Sequence, residues 1–208
     1  MPATLAVLTA LVLAGCTVSQ PAATPVTTGS PTGSAAPSPA PAASTTADTC
    51  TAPASSTLAQ VEGPYFKAGS PERSALVETG MTGTALTFTG SVVDTSCIPI
   101  AGAVVDIWQA DASGSYDNAG YRLRGHIATD ENGRFTFETV IPGQYPGRTE
   151  HIHVKVTPPG GVTLTTQMYF PSVAANDADG IFSPSLVLSM TPAGDGYVGT
   201  FTFVIDVT

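Results

Sequence analysis

The chain of 208 residues contains three histidines, and two of them, His151 and His153, stand one residue apart in the stretch GQYPGRTEHIHVKV. From His151 to Val156, polar His151, His153 and Lys155 alternate with aliphatic Ile152, Val154 and Val156, the period of a half-buried strand. Residues i and i+2 of a strand face the same side, so the two imidazoles stand close enough to hold one metal ion. The plainer alternative is a pair of polar residues on a solvated sheet face, and further donors must decide. Three further places change the balance: Tyr116 in GSYDN, Tyr145 in GQYPGR, and Arg148 three residues ahead of His151. Tyrosine is an uncommon ligand because its free pKa is about 10. A ferric ion is hard and highly charged enough to displace the phenolic proton, whereas zinc more often recruits cysteine, histidine or carboxylate. Two tyrosinates and two neutral imidazoles therefore suit Fe(III).

These side chains need a scaffold, and the pattern after residue 50 supplies strands. The runs TALTFTGSVVD, GAVVDIWQAD, RFTFETV, HIHVKVT, TLTTQMYF and YVGTFTFVIDV are rich in β-branched and aromatic residues. The turn signals DENG, PPGG and NDADG separate some of them, and no helical period of useful length interrupts them. The expectation is an all-β fold, an antiparallel β-sandwich with irregular loops. The sequence GSVVDTSCIPIAGAVVDIWQAD followed by TDENGRFTF resembles transthyretin-like (prealbumin-like) domains. That resemblance alone would imply a non-catalytic extracellular binding or accessory domain, the rival reading.

The stretches VEGPYF, RSALVETG, GAVVDIWQADASGSY, RGHIATDENGRFTFETVIPGQYPGR, HIH and LTTQMYF, in that order, resemble the intradiol ring-cleavage dioxygenases, the catechol and protocatechuate dioxygenase family. The resemblance covers most of the chain after residue 60. The short step from Tyr145 to His151 is similar to secreted members, where the larger soluble enzymes carry an insertion. What it implies is a non-haem Fe(III) centre with Tyr116 and His151 as equatorial ligands and Tyr145 and His153 as axial ones. Arg148 would support the anionic form of the bound ring, and Gln167 would stand just outside the ligands. Gly63, Pro64 and Tyr65 would line the substrate pocket. The implied reaction takes an aromatic diol and O2 to a muconate-type dicarboxylic acid. His126 is expected to be structural or at the surface, and NDADG to be a turn. A cupin would need a nearby glutamate and a later histidine, yet none follows His153; the His-x-Asp or His-x-Glu pair of an Fe(II) oxygenase is also missing.

Around this domain the composition shifts. Residues 1–16, MPATLAVLTALVLAGC, form an apolar run too short to span a bilayer. Their ending LAGC resembles the lipobox of bacterial lipoproteins, which makes Cys16 a lipidation site and the membrane contact a lipid anchor only. Residues 17–49 are almost wholly Pro, Ala, Ser, Thr and Gly, expected to be a disordered tether reaching about 30 Å if coiled and about 100 Å if extended. The domain itself is expected over 50–208. Cys50 and Cys97 remain, and two cysteines in an exported chain suggest a disulfide, the alternative being separate thiols. A net charge of -9, from 7 basic and 16 acidic residues, leaves no electrostatic footprint for nucleic acid. The family's dimer region is often helical, which the Pro-rich tail cannot form, so a monomer or weak oligomer is expected.

Overall fold

The structure is a computed structural model that describes residues 50–207. The leader, Cys16 and the tether expected over residues 1–49 lie outside the described residues. Eight strands follow one another: β1 (Ala85–Asp94), β2 (Val104–Gln109), β3 (Arg124–Ala128), β4 (Arg134–Val140), β5 (His151–Thr157), β6 (Leu164–Tyr169), β7 (Ser189–Ala193) and β8 (Gly196–Ile205). They form two four-stranded sheets, ordered β4-β1-β8-β7 and β3-β2-β5-β6. Two short 3-10 turns, Ala174–Ala178 and Pro184–Leu186, are the only helical segments among the described residues.

Alternation builds the core between the sheets. Leu86, Phe88 and Val92 of β1, Phe135 and Phe137 of β4, and Phe203 and Ile205 of β8 are buried in one cluster with Val105 and Ile107 of β2 and Ile152, Val154 and Val156 of β5. Each such side chain contributes about 1.5–3 kcal/mol by leaving water. The all-β reading and the six expected strands stand, but two expectations need correction. The sandwich is not wholly antiparallel, because β1 and β8 pair in parallel from Leu86↔Tyr197 to Asp94↔Ile205. Parallel neighbours need a long crossover, and everything between the first and last strands supplies it. In addition, β3 and β7 fall outside the six runs. Both are five-residue edge strands, one carrying Gly125 and the other Pro192, and such residues are tolerated where one side of the ladder is unpaired.

The segment before β1 positions the site. Cys50 is bonded to Cys97 with Cα atoms 5.7 Å apart. From there the Ala54 N–H donates to Thr95 O (2.9 Å), the Thr57 N–H to Val204 O (2.9 Å) and the Gln60 N–H to Thr165 O (2.8 Å). The lead thus passes from one sheet to the other and lays Gly63, Pro64 and Tyr65 over the outer face of β5.

The disulfide closes a span of 47 residues, which in the chain-entropy description is worth about 4 kcal/mol. Cys97→Ser is expected to lower the free energy of urea unfolding by about that amount. A loss below about 1 kcal/mol would show that backbone hydrogen bonds alone hold the lead.

Candidate metal centre

His151 and His153 point away from the core on the outer face of β5, yet they are 2% and 0% exposed. Strand register surrounds them: Trp108, His153 and Gln167 form one cross-strand row, and His151 faces Tyr169 in the next. Trp108 stacks on His153 at 4.8 Å with the rings 4° from parallel. Three loops and the lead close over this face. The loop after β2 carries Tyr116, and the loop before β5 carries Tyr145 and Arg148. These two loops touch backbone to backbone at Gly114, where a Cβ would come within 2.0 Å of Gln144 O, and the Gly143 N–H donates to Asp111 O at 2.8 Å. Gly63, at φ 76°, lies so close to His153 that a Cβ would stand 3.1 Å from its Cε1.

The four donors converge. The Nε2 atoms of His151 and His153 are 3.2 Å apart, and the Tyr145 hydroxyl is 3.4 Å from His151 Nε2. Two nitrogens each about 2.1 Å from one ion and about a right angle apart would be separated by about 3.0 Å, so the spacing is a chelate bite. His151 Nδ1 donates to Thr149 O at 2.7 Å, which leaves Nε2 with its lone pair toward Tyr145 and His153. The Tyr116 ring lies 5.8 Å from that of Tyr145 and 6.3 Å from His153. Its hydroxyl is buried with no hydrogen-bond partner, a costly state that a cation would relieve. Among the described residues no group of three or more His, Cys, Asp or Glu gathers, so any ion held here draws on phenolic oxygen.

Burial sets the electrostatics of the four donors. Burial pushes the Tyr116 phenol far up, and Tyr145 beside it adds to this against the pull of Arg148 and Arg124. Burial also raises Tyr145, with Arg148 opposing. The imidazole of His151 is held down to about 4 by burial, and His153 lies well below its usual 6.5 through burial and then the neighbouring His151. Without an ion, all four donors rest neutral. The imidazoles are then competent ligands as they stand, while the phenols ionise only for a cation of high charge.

Arg148 joins the site to its support. Its Nε donates to Asp179 Oδ2 (2.8 Å), one terminal nitrogen to the Tyr145 hydroxyl (3.3 Å), and the other to Gln167 Oε1 (2.5 Å). Gln167 in turn donates to Val61 O (3.0 Å), so it links the lead to the arginine. Tyr65 stacks on Tyr116 at 4.2 Å and meets Tyr145 edge-on at 5.9 Å. A recess of about 440 Å³ opens beside it, lined by Pro64, Tyr65, Phe66, Lys67, Asn118 and Arg124.

Two further residues belong to this arrangement, and sequence reasoning missed both roles. Asp179, within NDADG, also accepts from the Thr149 and Ile181 N–H groups at 3.1 Å each. Burial alone would raise its carboxyl, but the Ile181 N–H, the Arg148 guanidinium and the Thr149 N–H bring it below the ordinary range. Arg124 is 1% exposed and donates to Tyr65 O (2.7 Å) and to Asp117 O (3.1 and 3.3 Å), clamping the two segments that carry Tyr65 and Tyr116. Neither partnership has a signal in local sequence. His126 is a neighbour of Ser70 and Asp106 instead: Ser70 Oγ lies 3.0 Å from its Nδ1 and donates to Asp106 Oδ1 at 2.9 Å.

This two-sheet β-fold, with tyrosines and histidines gathered beneath an arginine, is matched by proteins of the ring-cleaving dioxygenase class. Residues 61–207 match the family model described as Dioxygenase. A chlorocatechol 1,2-dioxygenase of Rhodococcus opacus is 31% identical over 153 residues, 59% of this chain and 60% of its own. A 6-chlorohydroxyquinol 1,2-dioxygenase of Cupriavidus pinatubonensis is 32% identical over 184 residues, 75% of this chain and 67% of its own. Among solved structures, the dioxygenase domain of a dioxygenase carbohydrate-binding protein fusion from the cellulolytic bacterium Streptomyces sp. SirexAA-E is 48% identical, with a TM-score of 0.72, covering 74% of this chain and 100% of that one. An intradiol ring-cleavage dioxygenase from Tetranychus urticae is 31% identical, with a TM-score of 0.68, over 74% and 95%. The chain belongs to the intradiol ring-cleavage dioxygenase family. It spans 60% of the Rhodococcus enzyme and 53% of a hydroxyquinol 1,2-dioxygenase of Rhizobium sp..

Two outcomes follow from this geometry. Both histidines are harder to protonate in the folded than in the unfolded chain, so between about pH 4 and 6.5 the unfolded chain binds more protons and stability rises with pH. Denaturation of the metal-free domain should show a slope of about 1.4–2.7 kcal/mol per pH unit in that window; a flat profile would mean that the imidazoles charge freely in the fold. Asp179→Ala, which strands the Arg148 guanidinium, is expected to cost about 3 kcal/mol. The same change at exposed Asp195 should cost under about 0.5 kcal/mol, and equal losses would leave the ion pair without a special part.

Proposed function

We propose that this domain holds a non-haem ferric ion between Tyr116, Tyr145, His151 and His153 and uses it to open a catechol-type ring between its two hydroxyl carbons with O2, giving a muconate-type dicarboxylic acid. The observation that carries the reading is the approach of the two imidazole Nε2 atoms to 3.2 Å beneath two phenols, one of them buried and unpartnered. When bound, Fe(III) supplies the charge that ionises the phenols and the electron demand that makes a chelated diol reactive toward O2. The chain's own residues do the rest. Thr149 O holds the His151 ring with Nε2 free, and Trp108 holds the plane of His153. The Tyr145 oxygen, already a partner of Arg148, is where a proton from the incoming diol is taken up. Arg148, braced by Asp179 and Gln167, presents fixed positive charge to the anionic ring, an electrostatic role that costs no reorganisation at the moment of reaction. Tyr65 and Tyr116 form an aromatic wall that keeps water off the ring.

The same reading makes the domain an exported one, joined to the membrane by a lipid on Cys16 and acting as a monomer or weak oligomer. Its supports are the LAGC ending of residues 1–16 and the bonding of Cys50 to Cys97, since disulfides persist in oxidising compartments.

The ferric-loaded domain should be wine-coloured from tyrosinate-to-iron charge transfer, and Tyr116→Phe or Tyr145→Phe should shift or abolish that band and lower turnover by about 100-fold or more. Oxygen uptake with catechol, protocatechuate and hydroxyquinol, with the acids identified, checks the reaction. A colourless protein that takes up zinc and consumes no oxygen would favour the accessory-domain reading instead.

A further inference from the structure

The two imidazoles of the candidate site are held by different means. His151 Nδ1 donates to Thr149 O at 2.7 Å, a hydrogen bond that fixes both the tautomer and the angle of the ring. His153 Nδ1 is buried, and no protein group among the described residues pairs with it. The outer torsion of a histidine side chain is broad and soft, so a ring without such a bond needs another constraint to set its plane.

The neighbours of His153 supply one. Trp108 stands directly opposite it in the register of β2 and β5, where facing side chains meet. The indole lies 4.8 Å from the imidazole with the planes 4° apart, whereas His151 and Tyr116 meet the same ring at 78° and 56°. Only the stacked contact covers a face of the imidazole and resists its rotation. The indole is itself fixed: it is 1% exposed, and Phe66 of the lead meets it at 4.9 Å and 62°. Lys155, paired with Glu62, lies 4.0 Å over Phe66 and holds that ring in turn. The Nε1 of Trp108 is buried without a protein partner, although a buried indole N–H usually finds one. What this tryptophan offers its surroundings is its flat face.

We propose that Trp108 is a positioning residue for the metal centre: stacked on His153, it sets the imidazole plane and aims Nε2 at the ion, in the place that Thr149 O takes for His151. The inference rests on the ferric reading above and deepens it by giving the chain's single tryptophan a part in holding the metal.

Because there is one tryptophan, its emission reads the contact directly. The full chain is prepared metal-free and titrated with Fe(III) against a competing chelator, with emission and the tyrosinate-to-iron band recorded together. Wild-type emission should fall as the ion is bound. Trp108→Leu should weaken Fe(III) binding by about 10–100-fold and shift the band. Trp108→Phe, which keeps a ring over the imidazole, should stay within about 5-fold of wild type. Phe137→Leu, in the core between the sheets, should lower stability yet leave affinity within about 2-fold. In a His153→Ala background, Trp108→Leu should have no further effect on affinity.

The inference is overturned if Trp108→Leu binds Fe(III) as wild type does, if Phe137→Leu weakens binding as much, or if the leucine costs the same with and without His153. Wild-type emission needs no variant to fold, and its constancy on loading would overturn the inference by placing the ion away from the indole. In each of these cases the ferric reading stands. If the wild-type chain takes up no Fe(III), that reading fails and this inference falls with it.

Discussion

Strand β5 is buried on both faces, and the rest of the molecule is arranged around that constraint. Its aliphatic side enters the sandwich core, while its polar side, which in an ordinary antiparallel sheet would meet water, lies beneath loops. Covering that side obliges the chain to send the lead from Cys50 across both sheets, to pack two tyrosine-bearing loops against each other at Gly114, and to place the turn holding Asp179 over the edge. Each covering segment contributes a side chain to the candidate site or its support.

The electrostatic consequence is a candidate site whose four donors are uncharged. Burial suppresses the charge of the imidazoles and phenols alike, so nothing in the resting pocket repels its neighbour. The nearest permanent charges are two arginines, each tied down by other groups. Arg148 is balanced by Asp179, and Arg124 gives its donors to backbone carbonyls. Both are fixed dipoles or charges aimed at the phenols, so they bias the tyrosines toward ionisation without competing with the imidazoles for the guest.

Local pattern made the strand framework and the side-by-side histidine pair legible, because period-2 alternation and a His-x-His pair are properties of neighbouring residues. The parallel pairing of β1 with β8 was not legible, since it joins the two ends of the domain and depends on the path taken between them. The edge strands were hidden for a different reason. With only one neighbour each, β3 and β7 need little hydrophobic alternation, and Gly125 and Pro192 disguise them further. Asp179 lies 31 residues from Arg148 in a stretch whose composition announces only a turn, and the turn itself forms as expected. Its second task arises only once folding brings it to the arginine. Arg124 is the converse case, an arginine that composition places at the surface and that the fold buries as a backbone clamp.

The bond between Cys50 and Cys97 stands upstream of every pocket residue, at the point where the preceding chain meets the described domain. Tension arriving along residues before Cys50 therefore passes through a covalent link into the β1–β2 corner and from there into the sheet. The lead that carries Gly63, Pro64 and Tyr65 starts at that junction and runs in parallel with the link, so the two share the load. A pull on the front of the chain is thus divided between the disulfide and the lead before it reaches the candidate site.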